Sequence, residues 1–225
     1  MPSSRSTATA SSGSAETSTR ERLLSAAERS FADHGFAATS VRTITAAAEC
    51  NVAAVNYHLG GKQRLYEALF RSRLALLRRQ RVDSVRQAMN RPGRPATVET
   101  LLRVFASAFL EPLVADGCGR HLISLLSREL LDPHLPAEQF EREMVAPVRR
   151  VLVDALLALT PGLTSEQASR CVTSIIGQLV QVAHRRHWET AAEGRTRRHP
   201  RLPEMVEHIV RFSAAGVRAC AKGGQ

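Results

Sequence analysis

Residues 39–62 constrain this chain more than any other stretch, because they divide into two short amphipathic segments separated by a tight turn. Val41, Ile44 and Ala48 recur at helical spacing and give the first segment one buried stripe, with Thr39 or Ser40 placed to cap its free amides. Val55 and Leu59 do the same for the second segment, which Asn51 can cap. The residues left facing outward there are Val52, Ala53, Ala54, Asn56 and Tyr57, small or hydrogen-bonding groups that fit a DNA major groove. The pattern is a helix-turn-helix whose second helix reads base edges.

Three groups of residues within it agree in spacing: the helix start Thr39-Ser-Val-Arg42, the segment Asn51-Val-Ala-Ala-Val-Asn-Tyr-His58, and the opening Gly60-Gly61-Lys62 of the next helix. Together they resemble the DNA-binding half of TetR-family bacterial transcriptional repressors, over residues 20–80. That resemblance implies phosphate contacts from Thr39, Ser40, Tyr57, His58 and Lys62, which position the protein without reading sequence. Arg42 is the best placed for a bidentate contact to guanine, with a phosphate contact or a solvated arginine as the alternative. Val52, Ala53 and Ala54 suit thymine methyl groups, which leaves specificity to Arg42, Asn56 and DNA shape. The chain departs from the family pattern at Thr43, Glu49, Cys50 and Leu59. Glu49 matters most, since the family has a glycine there for a left-handed turn, a conformation that costs a residue with a Cβ about 1 kcal/mol.

Leu and Ala favour helix, strand-like alternation is absent, and most Pro and Gly fall between periodic segments, so the fold class expected is all-α. The formal net charge is +10, and only Lys62 and Lys222 among its cations are lysines. Such a charge suits a polyanionic partner, and equally an arginine-rich composition with no bearing on partners. Cys50, Cys118, Cys171 and Cys220 are scattered, as expected of reduced thiols rather than a metal or disulfide framework. No apolar run approaches a membrane span and no hydrophobic signal core is present, so no membrane partner and a cytoplasmic location are expected.

The Ser-, Thr- and Ala-rich residues 1–17 lack the apolar surface to order themselves and are expected to form a disordered tail, a composition also found in organellar transit peptides. A DNA-binding domain over 18–62 follows, with Ser18 and Glu21 in capping-box spacing and a stripe of Leu24, Ala27 and Phe31 ending at Asp33-His34-Gly35. Residues 63–90 form a long helix with Leu65, Leu69, Phe70, Leu74, Leu76 and Leu77 on its buried side, stopped by Arg91-Pro-Gly-Arg-Pro95. The domain 91–225 then holds helices over Leu101–Leu113, Leu122–Leu131, Glu138–Thr160, from Ser165 through Ala183, and Leu202–Ala221, with a polar loop at 190–201.

In the family resembled, the last two long helices pair with those of a second subunit, which points to Val172, Ile176, Val180, Ile209 and Phe212 as a homodimer interface. A small-molecule effector is expected among the helices that begin near Leu101, Leu122, Glu138 and Ser165. Phe105, Phe109, Leu125, Met144, Val148 and Leu179 are candidates for its apolar walls, and Arg128, Gln178 and His184 for its polar head. If Arg128 faced inward it would need an acidic neighbour such as Glu129 or Glu143, or a bound anion.

His184 and His187 share a helical face and, with His121 and His134, invite a metal reading; surface or core-rim histidines are the plainer one, and no metal or cofactor is expected. No nucleophile elbow, phosphate-cradling glycine loop or paired carboxylates point to an enzyme. The function expected is a sequence-specific, homodimeric repressor of a DNA operator, released by an effector. A helical enzyme or carrier with a vestigial helix-turn-helix, and a nucleoid-type DNA-binding protein without an effector, remain the alternatives.

Overall fold

A computed structural model of the protein describes residues 9–51, 60–93, 95–114, 118–191 and 201–222. These are helical with short connections, as an all-α chain should be. The helices are α1 (Thr9–Ala38), α2 (Val41–Ala47), α3 (Lys62–Met89), α4 (Val98–Val114), α5 (Cys118–Leu131), α6 (Ala137–Phe140), α7 (Ala146–Leu159), α8 (Ser165–Ala191) and α9 (Leu202–Lys222). Helix α1 is already under way at Thr9, inside the stretch expected to be a tail, so Ser18 does not cap it. An Ala-containing run extends an existing helix at little cost, because propagation adds one hydrogen bond per residue once the nucleus exists.

The chain divides into two compact units, Met1–Ser72 and Arg73–Gln225, and the division falls within α3 rather than at either of its ends. In the first unit α1 packs on α2. Leu24, Ala27 and Phe31 are buried as their spacing requires. Regular helix in α1 breaks at Gly35, whose positive φ of 79° is open to a residue without a Cβ. Around this break lies an aromatic cluster: Tyr66 meets Phe31 edge-on at 4.9 Å, Phe36 at 5.0 Å and Phe70 at 4.7 Å between ring centroids.

In the second unit α4 packs on α5, α8 and α9, while α8 also packs on α5, α7 and α9. Leu101, Leu102, Phe105 and Leu110 of α4, Leu152 and Leu156 of α7, and Val172 and Leu179 of α8 form its buried centre. Between α6 and α7 the backbone widens into a π-helical turn, Glu141–Val145, where the Ala146 amide bonds back to the Glu141 carbonyl. Pro147, at the start of α7, has no N–H to give the Glu143 carbonyl as an α-helix would. Arg78 Nη1 of α3 donates to that carbonyl instead, at 2.8 Å.

Leu76 is 50% exposed and not on the buried side of α3. It lies about 200° around the helix axis from Leu74, so the two cannot share one face.

Candidate functional site

The first unit builds its turn from local hydrogen bonds. Ser40, in extended conformation, caps α2 by accepting the Thr43 amide at 3.0 Å. Thr39 is buried and its hydroxyl reaches back to the carbonyls of Ser30 and Gly35, at 3.0 and 2.7 Å, which ties α2 to the end of α1. At the other end the Glu49 amide donates to Ala46 and the Cys50 amide to Thr45, at 3.2 and 2.9 Å. That pair of bonds is the Schellman closure of a helix, which places a left-handed residue just past the cap. Glu49 is that residue, with φ 52°. The glycine that the family would place here is absent, yet the turn keeps the conformation that glycine serves.

Gly60 and Gly61 both have positive φ, 65° and 103°, and the Gly61 carbonyl accepts the Leu65 amide at the start of α3. Lys62 Nζ donates to the Ala37 carbonyl at 3.1 Å and stands 4.5 Å from the centre of the Phe36 ring. Its ammonium is therefore already engaged within the protein. Arg42 is exposed on α2. Val52, Ala53, Ala54, Asn56, Tyr57 and His58 lie outside the described residues.

The second unit encloses a cavity of about 370 Å³. Its walls are apolar: Leu74 of α3, Phe109 and Leu113 of α4, Ile123 and Leu126 of α5, and Ile176, Val180 and Ala183 of α8. Phe140, Met144, Val145 and Val148 close it from the π turn and its flanks. Such a cavity is at the small end of the range for ligand sites. A second groove, about 590 Å³, is more open to solvent and mixes polar groups such as Gln80, Asp83, Gln87, Arg103 and Glu111 with Val104, Ala108 and Pro112.

Three polar side chains reach the cavity wall. His184 shares a 2.8 Å hydrogen bond with Ser127, whose hydroxyl donates to the Ile123 carbonyl at 2.7 Å; with that proton committed, His184 Nε2 is the donor. Glu129 Oε1 accepts the amides of His134 and Leu135, at 2.9 and 2.7 Å, and so fastens the loop after α5. Arg81 is different. It is 5% exposed, its guanidinium carbon lies 3.6 Å from the centre of the Phe109 ring, and its Nε is buried with no hydrogen-bond partner. Burial pushes its pKa down from the usual guanidinium range to about 9, and it stays cationic at neutral pH.

Of the residues expected at an effector site, Phe109, Met144, Val148 and His184 line this cavity. Phe105, Leu125 and Leu179 are buried in the core without reaching it. Gln178 hydrogen-bonds Ser213 and the Ser174 carbonyl, tying α8 to α9. Arg128 is exposed and does not line the cavity; the arginine that does is Arg81, from the long helix α3. A signal for it was present, since Arg81 continues the buried stripe of Leu74 and Leu77 in which every other position is apolar or small.

The expected dimer residues separate as well. Val172 and Ile209 are buried by the chain itself, and Ile176 and Val180 face the cavity, so these four are turned toward their own subunit. Phe212 is 65% exposed on α9, with His208 stacked beside it. The neighbouring exposed positions of α8 are small: Thr173, Ser174 and Gly177. Among the described residues no three His, Cys, Asp or Glu side chains are grouped to hold a metal ion, and no helix is long and apolar enough to cross a membrane.

The capped α2 with its left-handed turn, in a chain whose second unit holds an apolar cavity, points to a class, the DNA-binding transcriptional regulators. Residues 23–69 match the model of the bacterial regulatory proteins of the TetR family, and residues 98–217 match the C-terminal domain of the HTH-type transcriptional dual regulator CecR. No curated protein matches the chain. The fold is shared with solved structures. The fatty acid degradation regulator FadR from Bacillus halodurans superposes with a TM-score of 0.65 at 19% identity, over 87% of this chain and 98% of that one. A TetR family transcription regulator from Marinobacter aquaeolei VT8 gives 0.65 at 19%, over 91% and 97%. A TetR-like transcriptional regulator from Rhodococcus sp. RHA1 gives 0.62 at 19%, over 87% and 93%. The chain belongs to the TetR family of bacterial regulatory proteins, with a C-terminal domain of the CecR type.

Proposed function

We propose that this regulator is a homodimeric repressor that leaves its operator when a small, largely apolar molecule fills the cavity of its second unit. The observation that carries the reading is the cavity itself: enclosed and apolar, with Leu74 and Arg81 supplied by α3, the helix that opens at Lys62 directly after the helix-turn-helix stretch. A ligand in contact with that helix has a physical means of favouring one shape of the protein over another. Its leverage equals its differential affinity for the two shapes, so a 100-fold preference is worth about 2.8 kcal/mol.

Dimerisation follows from the other side of the fold. Phe212 is a large apolar group left in water on α9, and α8 exposes the small residues Thr173, Ser174 and Gly177, which would let a second pair of helices approach closely. A second copy of α8 and α9 is the occupant proposed for that face. On DNA the dimer would place two recognition helices on half-sites about one helical turn apart, with Arg42 reading bases and Ser40 at the backbone; Thr39, expected from the sequence at a phosphate, is instead buried with its hydroxyl on two carbonyls of α1. Lys62 would add a phosphate contact by giving up its hold on the Ala37 carbonyl.

Selection of bound duplexes from a random library tests the reading. The expected product is a palindrome, with Phe212→Arg yielding a monomer by sedimentation and losing about 100-fold or more in affinity for it, since one half-site alone reads too few bases. A non-symmetric site bound equally by wild type and Phe212→Arg would overturn it.

A further inference from the structure

We infer that the cavity takes an amphipathic acid, an apolar body carrying one carboxylate, and that the guanidinium of Arg81 is the receptor for its head. The inference rests on the cavity being the effector site and names the chemical class that site accepts.

Arg81 is nine-tenths or more enclosed, yet among the described residues it forms no ion pair and its Nε has no acceptor. Phe109 covers one face of the guanidinium. A ring face offsets part of the cost of burying a cation, and leaves the Nε donor unmet. The residue lines the cavity, so a guest there is within reach of its guanidinium. The other two polar groups there are spent: His184 on Ser127, and Glu129 on two backbone amides. Arg81 thus brings a positive charge to a lining that is otherwise mostly apolar. That arrangement orients a carboxylate toward Arg81 and its apolar body toward Ile176, Val180 and Met144. A guanidinium is suited to the task, because its planar fork matches the two oxygens of a carboxylate.

Arg78 gives an internal contrast. It lies one turn earlier on the same helix, and its guanidinium is satisfied by the Glu143 carbonyl. Two arginines of one helix are thus buried or half-buried side by side, one with its acceptor in the protein and one without.

The experiment is calorimetric titration of the full chain with octanoate and decanoate against 1-octanol and 1-decanol, repeated on Arg81→Met and Arg81→Lys. Wild type is expected to prefer each acid to its alcohol by about 10- to 100-fold, as a charged hydrogen-bonded pair would give. Arg81→Met should lose that preference, keep alcohol binding, and melt at a higher temperature than wild type when no ligand is present. Arg81→Lys should retain a weaker preference for acids. Equal affinity of wild type for acid and alcohol would overturn the inference while leaving the cavity as an effector site, and that comparison needs no variant to fold. An acid preference that survives in Arg81→Met would overturn it too. Failure of every compound to bind would remove the effector reading of the cavity and this inference with it.

Discussion

The aromatic cluster of the first unit and the cavity of the second are both made where apolar side chains from several helices meet, and they are finished differently. Around Tyr66 the rings of Phe31 and Phe36 pack edge to face and that of Phe70 packs tilted. Polar groups nearby are met at short range, Thr39 by Ser30 and Gly35, and Lys62 by Ala37. Around Arg81 the helices leave about 370 Å³ empty and one donor unmet. A site that must hold a recognition helix at a fixed angle gains from a closed core. A site that must respond to a guest has to leave some contacts unmade, and some stability with them.

The largest effect expected is at the closed core. Tyr66→Ala removes the ring that touches the other three and should destabilise the first unit by about 3–5 kcal/mol in chemical denaturation. Met144→Ala in the cavity wall should cost well under half of that, because a side chain bordering a void already lacks partners on one side. Equal losses at the two positions would show that the cavity wall is packed as tightly as the cluster. Next comes Arg78→Ala, which strips the Glu143 carbonyl of its side-chain donor and should cost about 1–3 kcal/mol, with faster amide exchange confined to residues 141–148. Uniformly faster exchange across α7 would mean that the π turn does not depend on Arg78. Smallest is Glu49→Gly, which relieves a left-handed non-glycine residue and should stabilise the first unit by up to about 1 kcal/mol. A neutral or destabilising result in the same denaturation assay would mean that the side chain of Glu49 makes up for its backbone.

What the sequence disclosed well was local. The position of Glu49 in a left-handed turn, the cap at Ser40 and the stop at Gly35 follow from a few consecutive residues, and hydrogen bonds of short range enforce them. What it disclosed poorly was which way a helix faces. The wide apolar stripe of α8 suited both a core and a partner, and the structure turns Val172 to the core and Ile176 and Val180 to the cavity. Periodicity reports that a face is apolar, not what covers it. Arg128 and Arg81 show the same limit. Arg128 was a candidate by its spacing, whereas Arg81 stood in the long helix over 63–90, outside the helices considered for the effector. A charged residue in register with buried leucines was the better clue. The π turn was missed for another reason: Pro147 was read through as part of a continuous helix, although a proline at an interior position removes a hydrogen bond that some other group must replace.

That widened turn bears on how the chain tolerates changes of length. A π turn closes its hydrogen bonds one residue further along than an α turn, so the extra residue is absorbed locally and the helices on either side keep their faces. Loss of one residue within 141–145 would return the turn to ordinary spacing, with Leu152 and Leu156 still directed to the core. Met144 and Val145 would be the positions displaced, and both border the cavity. A single-codon deletion at this point therefore reshapes the cavity without refolding the helix that follows, a change that point substitution does not offer.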